Sequence, residues 1–123
     1  MSLRVSDLMV AISLVVNVVV LVPVCLGLAL DSAWTGSAYG STTPARGILL
    51  SIYFAIGLLS LVLLIRRDFT MATPLLLVQV IYKVTTPITV GTLDNPVVIS
   101  NLAIALLHSV TLILTYRAAA AAT

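Results

Sequence analysis

The sequence predicts an all-α membrane protein, a four-transmembrane-helix antiparallel bundle with both termini cytoplasmic, and three observations predict it. Of 123 residues, 61% are hydrophobic and 8% charged, far from the roughly 45–50% apolar and about 25% charged residues of soluble domains. The apolar residues gather into four blocks, at about 7–30, 46–65, 70–91 and 96–117. At about 1.5 Å of rise per residue, each can cross a hydrocarbon core of about 30 Å. The blocks also lack the two-residue alternation of membrane barrel strands, and a barrel needs at least about eight of them. Helices are then the form that satisfies every backbone group in lipid, and 1–123 reads as one integral membrane domain.

The first block begins after Arg4 and contains the small-x-small sequence Gly27-Leu28-Ala29, which imitates a secretory signal. Its apolar core is longer than the usual 7–15 or so residues of such a signal, so it is read as a span. The strand-prone run VVNVVVLV at 15–22 does not overturn this, because without competing water the intrahelical hydrogen bonds are obligatory. Cys25 is the one cysteine and is read as a packing residue. Pro44, Pro74 and Pro96 mark the starts of the second, third and fourth spans, where a missing N–H costs little.

Charge sets the orientation. Arg4, Arg66, Arg67 and Arg117 fall on the side of the termini, whereas Arg46, with Asp31 and Asp94, falls on the other. The positive-inside tendency therefore puts the termini and the Arg66-Arg67-Asp68 turn in the cytoplasm. The segment DSAWTGSAYGSTTPAR (31–46) reads as an external loop whose Trp34 and Tyr39 rest among lipid headgroups. A lid over a ligand is the alternative for those aromatics. A bacterial inner membrane, a cell membrane of multi-pass helical proteins with short loops, is the expected location.

Polar side chains inside the spans face the bundle interior or a partner. They are Asn17 in the first span, Ser51, Tyr53 and Ser60 in the second, Gln79, Tyr82 and Lys83 in the third, and Asn101, His108 and Ser109 in the fourth. Gln79, Lys83 and Thr86 share one helical face, as do Asn101, Ala105, His108 and Thr115. Antiparallel packing of the last two spans brings Asn101 near the depth of Lys83 and His108 near that of Gln79. The expected result is a polar seam in the external half, built mainly from the third and fourth spans, with Asn17 near mid-membrane and Tyr53 two turns in. Interhelical hydrogen bonding is the structural reading of Asn17, Gln79 and Asn101. A neutral, hydrogen-bonded core histidine is that of His108, with proton relay as the alternative.

Lys83 is the sharpest of these residues, because the four aspartates, at 7, 31, 68 and 94, all lie at span edges and the chain has no glutamate. Pro87 disfavours helical geometry at Thr86, which puts Lys83 in the last turn, with its stem reaching outward to Asp94 or Asp31. If the helix instead continues with a kink, Lys83 lines a cavity, where it attracts an anion or sits deprotonated through burial. Small residues at four-residue spacing, Gly47, Ser51 and Ala55 in the second span and Ala105 and Ser109 in the fourth, allow close helix packing within the bundle or between copies. The bulky Leu49, Ile56 and Leu63 then face lipid.

No zinc spacing, phosphate loop, nucleophile motif or basic run is present, so no cofactor, no nucleic acid and no catalysis are expected. The size and four spans match the small multidrug exporters, but Asn17 stands in mid-helix where their coupling needs a glutamate. The expected function is that of a non-catalytic integral membrane protein, in contact with the lipid bilayer, which acts through self-association or as a subunit of a larger membrane complex and binds a lipid or other hydrophobic small molecule. The alternative is an oligomeric transporter or channel for an anion or proton, lined by Lys83 and His108. A lipid-directed enzyme is weakest, because acid–base catalysis needs a second group to orient the first.

Overall fold

The computed structural model describes residues 4–122. It contains α1 (Val5–Ala29), α2 (Ala33–Tyr39), α3 (Pro44–Arg66), α4 (Ala72–Val90) and α5 (Pro96–Ala121). The long helices α1, α3, α4 and α5 are each long and apolar enough to cross a membrane, and together they form the expected four-helix membrane bundle.

Local chemistry fixes the helix ends. Thr43 Oγ1 accepts from the Arg46 N–H at 3.2 Å with Pro44 in the first turn, and Asn95 Oδ1 accepts from the Val97 N–H at 2.8 Å with Pro96 behind it. Both pair a capping side chain with a proline whose N–H is not needed. At the other ends, Arg67 and Gly91 take left-handed conformations, at φ 53° and 84°. The Asp68 N–H then returns to Leu63 O at 3.1 Å and the Gly91 N–H to Pro87 O at 3.0 Å, closing the last turns.

Three expectations are corrected. The 31–46 segment is not simply a loop, since it folds into α2 and carries the buried Thr35. The third span does not stop at Thr86, because α4 runs through Pro87 to Val90; the proline leaves the Lys83 carbonyl without its usual helical donor, and the turn closes at Gly91 instead. The faces of α3 are also the reverse of the expectation. Ile56 and Leu63 are buried and Leu49 half-buried, whereas Gly47, Ser51 and Ala55 are exposed. The physical reason lies in Arg46, Tyr53 and Ser60, which are buried on the same helical face as Ile56 and Leu63. Polar groups that need partners turn that face inward, and the bulky residues beside them follow. Helix α5 also extends beyond 117, through a run of alanines with high helix propensity.

Helix α1 packs along α3 and α5, α4 packs along α5, and α3 and α4 touch only sparsely. The order is therefore α3, α1, α5, α4, with a cleft where a fourth seam would close the ring. Antiparallel packing puts the start of α1 beside the end of α5. Two apolar clusters make up the core. Val10, Leu14, Leu63 and Ala72 fill the end near the chain termini, and Leu21, Leu28, Tyr53 and Ile56 fill the end capped by α2.

Candidate ligand pocket under the α2 cap

The cap is built around Arg46, which is 6% exposed. Its Nη1 donates to Gly40 O at 2.9 Å. Its Nη2 donates to Asp31 Oδ1 and Thr35 Oγ1, both at 3.0 Å, with Leu28 O at 3.4 Å. Thr35 passes its own proton to Ser32 O at 2.6 Å, and Thr42 Oγ1 donates to Asp31 at 3.2 Å. One guanidinium thus ties α1, α2 and α3 together, and Asp31 joins it from a left-handed turn at φ 52°. Because Asp31 is largely exposed, the pair contributes more to geometry than to stability.

Three more ties hold α2. Asn95 Nδ2, at the start of α5, donates to Ala38 O at 3.0 Å. The Trp34 indole lies against Gly27, where a Cβ would come within 2.5 Å of Trp34 Cζ2 and 2.9 Å of Thr35 Cγ2. Glycine is the residue that admits this approach. Tyr39 meets Trp34 and Tyr53 edge-on, at 6.4 and 6.1 Å between ring centroids. Burial, with Tyr53 alongside, raises the Tyr39 pKa, so its phenol stays neutral. Trp34 and Tyr39 thus belong to a cap packed on the ends of α1, α3 and α5, with Tyr39 half-buried and Trp34 46% exposed.

Beneath the cap lies a largely apolar pocket of about 400 Å³, walled by α1 at Leu21 and Val24, α2 at Trp34 and Tyr39, and α5 at Val97 and Ile104, with Tyr53, Lys83 and Asn101 among its lining residues. That volume falls within the range of small-ligand sites, about 300–1,000 Å³. Lys83 does not snorkel, being 4% exposed. Its Nζ donates to Asn101 Oδ1 at 3.1 Å and lies 4.8 Å from the Tyr82 ring centroid, a cation–π contact. Among the described residues the single ion pair is Arg46–Asp31, so Lys83 has no acidic partner. An ammonium has three donors, and one is committed to a protein hydrogen bond. The reason for the corrected position is Pro87: because α4 continues past it, Lys83 sits two turns inside the helix end rather than at it.

Asn101 links this pocket to the cleft between α3 and α4, donating from Nδ2 to Thr86 Oγ1 at 3.3 Å. The cleft holds about 620 Å³, and Tyr39, Tyr53 and Asn101 line both spaces.

The other candidate residues form a separate belt deeper in the bundle. His108, fully buried, places Nε2 2.9 Å from Asn17 Oδ1, and Asn17 Nδ2 donates to Ser60 Oγ at 3.0 Å. Next to it, the Ser13 and Thr111 hydroxyls are 2.8 Å apart. Contacts of this kind are worth roughly 0.6–2 kcal/mol each in lipid. His108 Nδ1 is buried with no partner. The seam is therefore split: Lys83 and Asn101 stand under the cap, and the Asn17–His108 belt joins α1 to α5 rather than α4 to α5. Gln79 is buried, with its Nε2 donating back to Leu75 O at 3.4 Å, and the Gln79–His108 pairing in depth makes no hydrogen bond. Tyr53 is buried at the pocket, Ala105 is buried and Ser109 half-buried on α5. Sequence reasoning missed Arg46, Thr35, Ser13 and Thr111. For Thr111 a signal existed, since it lies with His108 and Thr115 on one face of α5.

Among the described residues no group of three His, Cys, Asp or Glu side chains comes together. The fold and the pocket define a multi-pass helical membrane protein with a capped, largely apolar pocket around one buried cation. Compared with family models, with curated proteins and with solved structures, the chain matches none.

Proposed function

We propose that this is a non-catalytic membrane protein that binds an amphiphilic anion, a lipid or lipid-like molecule, beneath α2, with the anionic group on Lys83 and the apolar part in the pocket. The observation that carries the reading is a buried lysine amine without an acidic partner at an apolar pocket. A buried charge is costly unless paired, and a bound carboxylate or phosphate supplies the pair. The positive-inside tendency supports an external position for the cap and pocket, and the all-helical spans with short connections support a bacterial inner membrane.

Assembly is the second part of the reading. The Gly47, Ser51 and Ala55 face of α3 points away from the bundle, and small residues at this spacing let a second copy or a subunit of a larger complex approach closely. The transporter alternative, with an anion or proton moving past Lys83 and His108, draws on the unpartnered His108 Nδ1.

Native mass spectrometry of the protein extracted gently from its membrane tests the binding reading. The expected result is an anionic amphiphile retained by the wild type and lost from Lys83→Met. Equal retention by both proteins, or no adduct on either, contradicts it. Anion or proton flux in liposomes that disappears in His108→Leu would favour the transporter instead.

A further inference from the structure

The cleft between α3 and α4 differs from the Lys83 pocket in hydrogen-bonding character. Three threonines of α4 line it, and each has spent its proton on its own helix: Thr85 Oγ1 on Ile81 O and Tyr82 O at 3.1 and 3.0 Å, Thr86 Oγ1 on Tyr82 O at 2.7 Å, and Thr89 Oγ1 on Thr86 O at 3.3 Å. A hydroxyl has one proton and two lone pairs, so these groups face the cleft as acceptors only. Thr86 already receives Asn101 Nδ2, whereas Thr85 and Thr89 are exposed with their lone pairs open. The Tyr82 side chain lines the same cleft, but its hydroxyl is buried beneath the surface without a hydrogen-bond partner. No residue lining the cleft is charged.

These features select against several occupants. A bare phosphate or carboxylate has no protons for Thr85 and Thr89, and a choline ammonium has no N–H. A group with several uncharged hydroxyls meets the set, donating to Thr85 and Thr89 without bringing an ammonium into a cleft that has no carboxylate to pair it. The geometry points to an uncharged polyol as the occupant, glycerol or a sugar, carried on the phosphate of a membrane lipid held at Lys83. This assignment rests on the reading that an anionic amphiphile binds Lys83. Asn101 joins the two halves, accepting from Lys83 Nζ through Oδ1 and donating to Thr86 through Nδ2, so that charge lies on one side of it and hydroxyls on the other. Thr85 and Thr89 occupy the last two turns of α4, within reach of the headgroup layer.

The test is competition, read by native mass spectrometry, among phosphatidylglycerol, phosphatidate and phosphatidylethanolamine of one acyl composition in detergent micelles. The expected result is retention of phosphatidylglycerol about tenfold over phosphatidate, the scale of a few neutral hydrogen bonds. The double variant Thr85→Val, Thr89→Val should bring phosphatidylglycerol down to the phosphatidate level without reducing phosphatidate. Equal retention of those two lipids by the wild type overturns the polyol assignment and leaves the anion reading standing. Preference for phosphatidylethanolamine overturns it as well, since the acceptors would then be taking an ammonium. Retention of none of the three overturns both readings.

Discussion

Lys83 and Arg46 are both cations buried in one bundle, and they differ in what surrounds them. Arg46 has Asp31, Thr35, Gly40 and Leu28 as acceptors; Lys83 has Asn101 and the face of Tyr82. Opposite stability effects follow. Arg46→Met leaves the buried Thr35 hydroxyl and the Leu28 and Gly40 carbonyls without their donor and should lower stability by about 1–3 kcal/mol, the scale of unsatisfied buried polar groups. Lys83→Met removes an uncompensated charge while keeping most of the volume, and should raise the stability of the ligand-free protein by about 1 kcal/mol or more. Thermal melts of purified, delipidated protein in one detergent check both, and a fall in the melting temperature for Lys83→Met would show that its charge is compensated. In the belt, His108→Leu leaves Asn17 Oδ1 without its partner and should cost about 1–3 kcal/mol, measured by the same melts.

At the scale of elements, α2 is a helix of 7 residues, too short to be stable alone, and it is held by tertiary ties from α1, α3 and α5. Gly27→Ala should therefore act on α2 rather than on α1. The new Cβ would displace the Trp34 ring, giving a shifted Trp34 emission and a lower melting temperature; unchanged emission would mean that α2 does not depend on that contact. The spans themselves were legible, because length and apolarity are local properties of the chain. The shared depth of Lys83 and Asn101 was legible too, by antiparallel counting from the Asp94-Asn95 turn, but their hydrogen bond was not, since the same reading sent the lysine outward to Asp94 or Asp31. The cap was not legible, since Gly, Ser and Thr at 36–43 carry ordinary turn chemistry and α2 is made by distant partners, chiefly Arg46. Nor was the orientation of α3. Bulk alone said that Ile56 and Leu63 face lipid, and the decisive information was that Arg46, Tyr53 and Ser60 share their face. Pro87 misled for a related reason: its steric rule describes a tendency at one residue, while Gly91 supplied the actual stop.

At the scale of the whole molecule, the order α3, α1, α5, α4 leaves an open seam beside a capped pocket, and the α3 face of small residues points outward. If α3 meets α3 of a second copy, Ser51→Cys in a Cys25→Ser background should form a disulfide-linked dimer on mild oxidation in the membrane; a chain that stays monomeric on denaturing gels would argue against that contact. The central claim concerns the pocket, and the chain carries its own reporter there, because Trp34 is the one tryptophan and lines it. The most direct measurement is the quenching of Trp34 fluorescence by lipids brominated on the acyl chain, with anionic and phosphatidylcholine forms compared at the same low mole fraction in micelles. The account predicts stronger, saturable quenching by the anionic lipid, with the difference abolished in Lys83→Met. Equal quenching by both lipids in the wild type would contradict it.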